Sequence, residues 1–489
     1  MRATNALIPY IDLTRDGGPL YRQLYHGLRE AIVRGRLPPA SRLPSTRAMA
    51  EDLDVARMTV MRAYRQLRAE GYVRSGVGSG TWIESELPDH LVRAPPPGPG
   101  KDDPPEPDGA PALSSRGSRL VDLAMGLRGE TEPVPFMLDP PDTGTFPRRV
   151  WQEMEAEIRR ASRPCSLPDR AGAPELRRAL ADFVSVTRGG GAHPSRVVVT
   201  SGGQESLSIL AELLLDPSDS VLVEDPGHPR AARILDGAAE TVPVPVDDEG
   251  MVVVEGVRLR PGARAAYVTP SHQFPLGSTM SRRRREELLR WAAKSGSWIL
   301  EDDRDSQYRF EGRPLPSLQS LDRAESVIYL GSFGRSLFPV LPLAFVILPE
   351  RLVEPFLAVR SLRVRPPPTR PQRTLARFLR EGHYARHIRR SRRVFLERRD
   401  ALLTALSRHL GRAPELSGTR AGTRIVLWLP AGLPGTEAAD RASAAGLVAT
   451  PVGLFSRRPL ERHGLVLGYG AFETDVLEHA AVALSKALR

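Results

Sequence analysis

Between residues 20 and 83 the apolar positions recur first at helical spacing and then in short alternating runs. In PLYRQLYHGLREAIVRG, residues Leu20, Leu24, Leu28, Ile32 and Val33 share one face and predict a helix. LPSTRAMAEDL follows, with Ser45 placed to cap a second helix whose Ala48, Met49 and Leu53 lie together. After the turn Asp54-Val55, ARMTVMRAYRQLRAEG directs Val60, Ala63, Tyr64 and Leu67 inward. The same helix leaves Arg57, Thr59, Arg62 and Arg65 outside. GYVRSGVGSGTWI then reads as strand, glycine-rich turn, strand. Helix, helix, turn, helix and hairpin make the layout of a winged helix-turn-helix.

Farther along, the period changes. VVVT (197–200), SVLVED (220–225), AAYVTP (265–270), WILEDD (298–303) and VIYLGSF (327–333) are short, continuously apolar runs. Helical stretches such as ESLSILAELLL and RRRREELLRWAAKSG lie between some of them. That rhythm predicts βα units on a mostly parallel sheet, hence an α/β body. Residues 85–118 fit neither pattern. Prolines 88, 95–97, 99, 104, 105, 107 and 111 make them a linker. The expected division is a head at 1–84, the linker at 85–118 and a body at 119–489. Within the body, a large lobe is expected at about 165–360 and a smaller C-terminal α+β lobe at about 375–489.

Composition adds limits. At 489 residues the chain has room for two or three domains, and 41% hydrophobic with 26% charged residues is ordinary globular usage. No run is long and apolar enough to cross a membrane, so no membrane partner is expected. Cys165 is the single cysteine, which precludes an internal disulfide and fits a cytoplasmic location. The net charge of +11 leans towards nucleic acid or anionic ligands. Lysine occurs only at 101, 294 and 486, so almost all the positive charge is arginine.

A helix that enters the major groove needs cations and small hydroxyls on its outer face. Arg57, Thr59, Arg62 and Arg65 supply them, Arg47 can reach backbone phosphate, and Gly78 and Gly80 let a wing approach closely. The competing reading is a solvated basic helix. The run LPSTRAMAEDLDVARMTVMRAYRQLRAEGYVRSGVGSGTWI resembles the GntR-type winged-helix domain, including its LPS, R-x-T-V and G-x-G-T elements. The resemblance implies double-stranded DNA as partner and a homodimer on paired half-sites.

The body carries TSGGQESL (200–207), EDPGHPR (224–230), YVTPSHQFPLG (267–277), EDDRDSQY (301–308) and GSFGRSLFP (331–339). In that order they resemble a fold-type I aminotransferase, and with the head they resemble the MocR family of regulators. Such a body implies pyridoxal 5′-phosphate (PLP), which needs a lysine for a Schiff base, an acid at the ring nitrogen, an aromatic face and a phosphate cradle. By resemblance Asp302 is the acid. Gly203 and Gln204, at a helix start, with Ser332 form part of the cradle, and His272 and Gln273 match the S-H-Q segment. Other positions depart from the family: His228 replaces the stacking tyrosine, Arg304 the tyrosine near the phenolic oxygen, Gly334 a serine and Pro342 an arginine. Arg335 stands at the Schiff-base lysine.

A guanidinium stays protonated and offers no lone pair for an aldimine. The expectation is therefore a transcription regulator with no catalytic residue, no metal and no bound cofactor; noncovalent PLP binding and a PLP-dependent aminotransferase are the alternatives. Two readings of the pocket stay open. One is a remnant that serves dimerisation alone. The other is an anion site in which His228, Arg230, Arg304 and Arg335 converge on a carboxylate- or phosphate-bearing effector, with Asp302 and Asp305 as possible internal counter-ions. Family resemblance further implies head-to-tail dimers. The arginines of 282–285 and of the helix around 387–399 read as solvated faces.

Overall fold

The computed structural model describes residues 13–14, 18–76, 80–88, 113–124, 132–138, 142, 144–161, 169–312, 315–337, 341–411 and 413–489. Gly78, Cys165, Lys101 and most of the proline-rich stretch lie outside them. The chain divides into two compact units, 1–112 and 113–489.

In the first unit, helices Leu20–Val33, Thr46–Asp52 and Arg57–Ala69 enclose a core that includes Leu24, Leu28, Ile32, Met49, Val60, Ala63, Tyr64 and Leu67. The Ser45 side chain accepts the Ala48 N–H at 3.1 Å, the capping bond that begins the second helix. Strand Gly80–Ile83 pairs antiparallel with both Val73–Gly76 and the two-residue strand Arg42–Leu43. This is a winged helix-turn-helix.

The second unit is built on an eight-stranded sheet. By residue range its order is 197–200, 344–347, 327–332, 298–302, 265–268, 220–225, 240–247, 250–251. Strands 327–332 through 240–247 run parallel, while 344–347 is antiparallel to both neighbours. Alternate residues serve opposite faces. Val223, Tyr267, Leu300 and Ile328 join one core, and Leu222, Ala266, Ile299 and Val327 join another. Burial on both faces is why these strands read as unbroken apolar runs. A four-stranded antiparallel sheet (415–417, 424–428, 464–468, 450–451) forms the smaller lobe, whose core also draws on helices His383–His409 and Thr474–Ala487. Phe136 bridges to Gly468 and joins that core, so a segment preceding the large lobe completes the small one.

Three expectations need correction. The stretch read as linker through 118 already turns helical at Ser115, in a helix to Ala124 whose Arg119 donates to the Gly237 carbonyl at 3.2 Å. Arg284 and Arg285 are not solvated. Arg284 donates to the Met251 carbonyl and Asp247, and Arg285 to the carbonyls of Met280, Pro316 and Pro270 at 2.8–3.0 Å. In helix His383–His409, His387 and Arg398 are likewise buried; Arg398 holds the Gly470 carbonyl at 2.6 Å. Each of these arginines exchanges hydration for carbonyls and carboxylates brought from distant segments.

Candidate functional site

On the head, Arg57 begins its helix and donates to Thr46 Oγ1 at 3.4 Å, which ties the two helices of the turn. Arg62 and Arg65 are exposed, Thr59 is half-buried, and Arg62 lies 5.6 Å from the Tyr21 ring. Arg47 is exposed and paired with Glu51 at 3.1 Å. Gly80 has φ +93°, and a Cβ there would meet the Arg42 guanidinium at 2.7 Å. The left-handed backbone favours glycine here, whereas the Arg42 guanidinium, the far end of a flexible side chain that also sits over Trp82, could shift aside. Arg42 escaped the sequence reading because its strand is only two residues long.

In the second unit, a cavity of about 360 Å³ opens where several strands end. Ligands of open α/β sheets collect at such carboxyl ends. Strand 298–302 delivers Asp302, strand 327–332 delivers Ser332, strand 220–225 leads to His228, and strand 197–200 leads to the helix Gly203–Leu214. Gly203, Gln204, His228, Arg230, Asp302, Arg304, Ser332 and Arg335 all line it. His272 does not. It is buried, its Nε2 only 2.3 Å from where a Cβ on Gly422 would stand. Burial, and then Arg424, push its pKa down to about 3, so it is neutral there.

The polar contacts form four groups. The Tyr267 hydroxyl donates to Asp302 at 2.5 Å, and burial raises the Asp302 carboxyl. Asp303 accepts from Arg188 at 2.7 Å and from the Tyr329 hydroxyl at 2.5 Å. Arg335 spans Asp305 with Nε at 3.0 Å and Nη2 at 3.3 Å, and Nη2 also reaches Thr423 Oγ1 at 3.1 Å. Arg424, from the small-lobe strand, donates to the same Asp305 carboxylate at 3.0 Å. Burial alone would raise the Asp305 carboxyl, but Arg335 and Arg424 outweigh it and hold it far below the usual range. Asp305 itself adopts φ +54°, a left-handed turn that brings its carboxylate back between the lobes.

Arg304 approaches His228 Nε2 at 2.8 Å, and His228 Nδ1 caps the next helix by accepting the Ala231 N–H at 3.1 Å. Sequence reasoning named Asp305 as a possible counter-ion but missed Tyr267, Thr423 and Arg424. Arg424 had one signal, a lone cation opening the apolar strand RIVLW. Among the described residues no lysine lines the cavity, and Lys294 and Lys486 are on helices elsewhere. The described lining thus offers a guanidinium at Arg335 and no amine for a Schiff base.

Residues 20–83 match the family "Bacterial regulatory proteins, gntR family", and residues 139–430 match "Aminotransferase class I and II". The chain is 35% identical, over 97% of its length and 95% of the relative's, to the probable rhizopine catabolism regulatory protein MocR of Rhizobium meliloti. It is 30% identical, over 95% of each chain, to the HTH-type pyridoxine biosynthesis transcriptional regulator PdxR of Corynebacterium glutamicum. Among solved structures, an archaeal alanine:glyoxylate aminotransferase superposes with a TM-score of 0.69 at 26% identity, covering 76% of this chain and 97% of that one. With a GntR-type head and an aminotransferase-like body matched along nearly its whole length, the chain belongs to the MocR type of DNA-binding transcription regulators.

Proposed function

We propose that the aminotransferase-like unit is not an enzyme and that it regulates DNA binding by the head without covalent PLP. The observation that carries this reading is Arg335. It lies in the cavity where the family resemblance places the lysine, and it is committed to Asp305 and Thr423. A guanidinium in that ion pair has no amine to condense with an aldehyde. What the unit senses, on this reading, is a small carboxylate- or phosphate-bearing molecule. Arg230, Arg304 and the N-terminus of the helix Gly203–Leu214 converge on one cavity and suit such a group. The Asp305 contacts shift the weight of anion recognition from Arg335 to Arg304 and Arg230. DNA contact falls to Arg47, Arg57, Thr59, Arg62, Arg65, Gly78 and Gly80, in a homodimer.

The test is an absorbance titration of the purified chain with PLP, then borohydride reduction and mass spectrometry. No aldimine band and no reduced lysine adduct are expected. An adduct on a defined lysine overturns the proposal. A second reading, noncovalent PLP, is favoured by Asp302 facing the same cavity as Gly203. Saturable binding without any reducible adduct would select it.

A further inference from the structure

Among the described residues of the first unit, one large apolar side chain is exposed: Met58, at 58%. Its place on the helix gives that exposure a meaning. The helix Arg57–Ala69 buries Val60, Ala63, Tyr64 and Leu67. At about 100° per residue those four span one side, and the direction opposite them runs through Met58, Arg62 and Arg65, spaced i, i+4, i+7. Arg57 and Thr59 lie on the flanks of that stripe. Met58 is therefore the N-terminal member of the outward stripe, in the first turn. In a helix-turn-helix, the N-terminal residues of this helix are the ones that reach base edges. The major-groove floor offers mostly hydrogen-bonding groups; its one apolar landmark is the C5-methyl of thymine. A flexible thioether side chain suits that methyl and cannot read a donor or acceptor pattern.

We propose that Met58 is a specificity-determining residue that reads a thymine methyl in each half-site. The inference rests on the DNA-binding role of the head. Arg62 and Arg65, behind Met58 on the same stripe, would hold phosphates or purine edges and set its register. Met58 contributes apolar contact and no charge, so its removal should alter sequence preference without changing salt dependence.

The experiment uses the full chain. Duplexes enriched from a random library define the preferred half-site, and each thymine in turn is then replaced by deoxyuridine, which deletes only the methyl. For the native chain, one position per half-site should lose affinity about three- to fivefold, the expected effect of uncovering one methyl group. Met58→Ala should bind the thymine and uracil duplexes equally, and Met58→Leu should keep most of the discrimination. Uracil that is neutral for the native chain, or equally costly to Met58→Ala, overturns the proposal. Failure to enrich any motif would sink the DNA-binding role beneath it, a result distinct from an enriched motif that ignores the methyl.

Discussion

The junction of Arg335, Asp305 and Arg424 gives the sharpest test of how the second unit is held together. In Asp305→Asn, asparagine also tolerates the left-handed backbone found at φ +54°, and it nearly matches aspartate in shape, so the change removes charge and little else. Asp305 is completely buried and Arg424 is 1% exposed, so neither is well screened by water. Without the carboxylate, two guanidinium groups are each deprived of an anionic partner at 3.0 Å. Removing one member of a buried pair costs about 3–5 kcal/mol, because the remaining charge stays desolvated. With about 2.1 cal/mol/K of unfolding entropy per residue, a unit of this size should melt roughly 4–6 °C lower. Calorimetry of the full chain, or urea unfolding followed by tryptophan fluorescence, would read the change. Acid adds a second signature. The folded-state pKa of Asp305 lies below its unfolded value, so its stabilisation is complete above about pH 4 and fades as the pH falls towards the depressed value. The variant should lack that part of the acid slope. A destabilisation below about 1 kcal/mol, with an unchanged acid limb, would show that the junction does not support the fold.

Three further outcomes are expected. Arg47→Ala should reduce the slope of log affinity against log salt by about 0.9 for each phosphate that Arg47 neutralises. It should leave the melting midpoint in place, since its pairing with Glu51 is largely exposed; an unchanged slope would remove Arg47 from the DNA face. Gly331→Ala would place a Cβ 2.3 Å from the ring of Phe345, its cross-strand partner in the large sheet, and should cost about 1–3 kcal/mol in urea unfolding; a neutral result would mean that Phe345 moves aside freely. Glu224 is buried and accepts from Thr269 Oγ1 at 2.5 Å, and burial pushes its carboxyl up to about 7. The folded state thus holds this proton more tightly than the unfolded chain, and stability falls as pH rises from the usual carboxylate range towards 7. Glu224→Gln should flatten that decline, by at most about 1.4 kcal/mol per pH unit, when urea midpoints at pH 5 and pH 8 are compared.

Much of the architecture was legible along the chain. The head's core positions Val60, Ala63, Tyr64 and Leu67 follow from helical period alone, since a helix buries one stripe wherever its neighbours lie. The five apolar runs became strands of one sheet because burial on both faces leaves no polar alternation to confuse the period. Strand 240–247 was harder to see. Its Pro243 and Pro245 argue against a strand, yet it lies near the edge of the sheet, next to only the two-residue strand 250–251 on its outer side. In the cavity, eight of nine expected positions came together because motif order along a βα repeat places the strand ends side by side.

Local features were set by residue order alone: helical and strand periods, the cap at Ser45, and an arginine at 335 that offers no amine. Where each charge finds its partner was settled by tertiary folding. Asp305 and Arg424 are 119 residues apart, and Arg398 meets Gly470 across 72. Arg284 and Arg285 sit beside two exposed arginines in one run of four, yet only they are buried. Periodicity reports which side of an element faces away from water. It carries no record of the carbonyls and carboxylates that other segments bring to that side. Whether a buried guanidinium is tolerated depends on those distant oxygens, and only the folded chain assembles them.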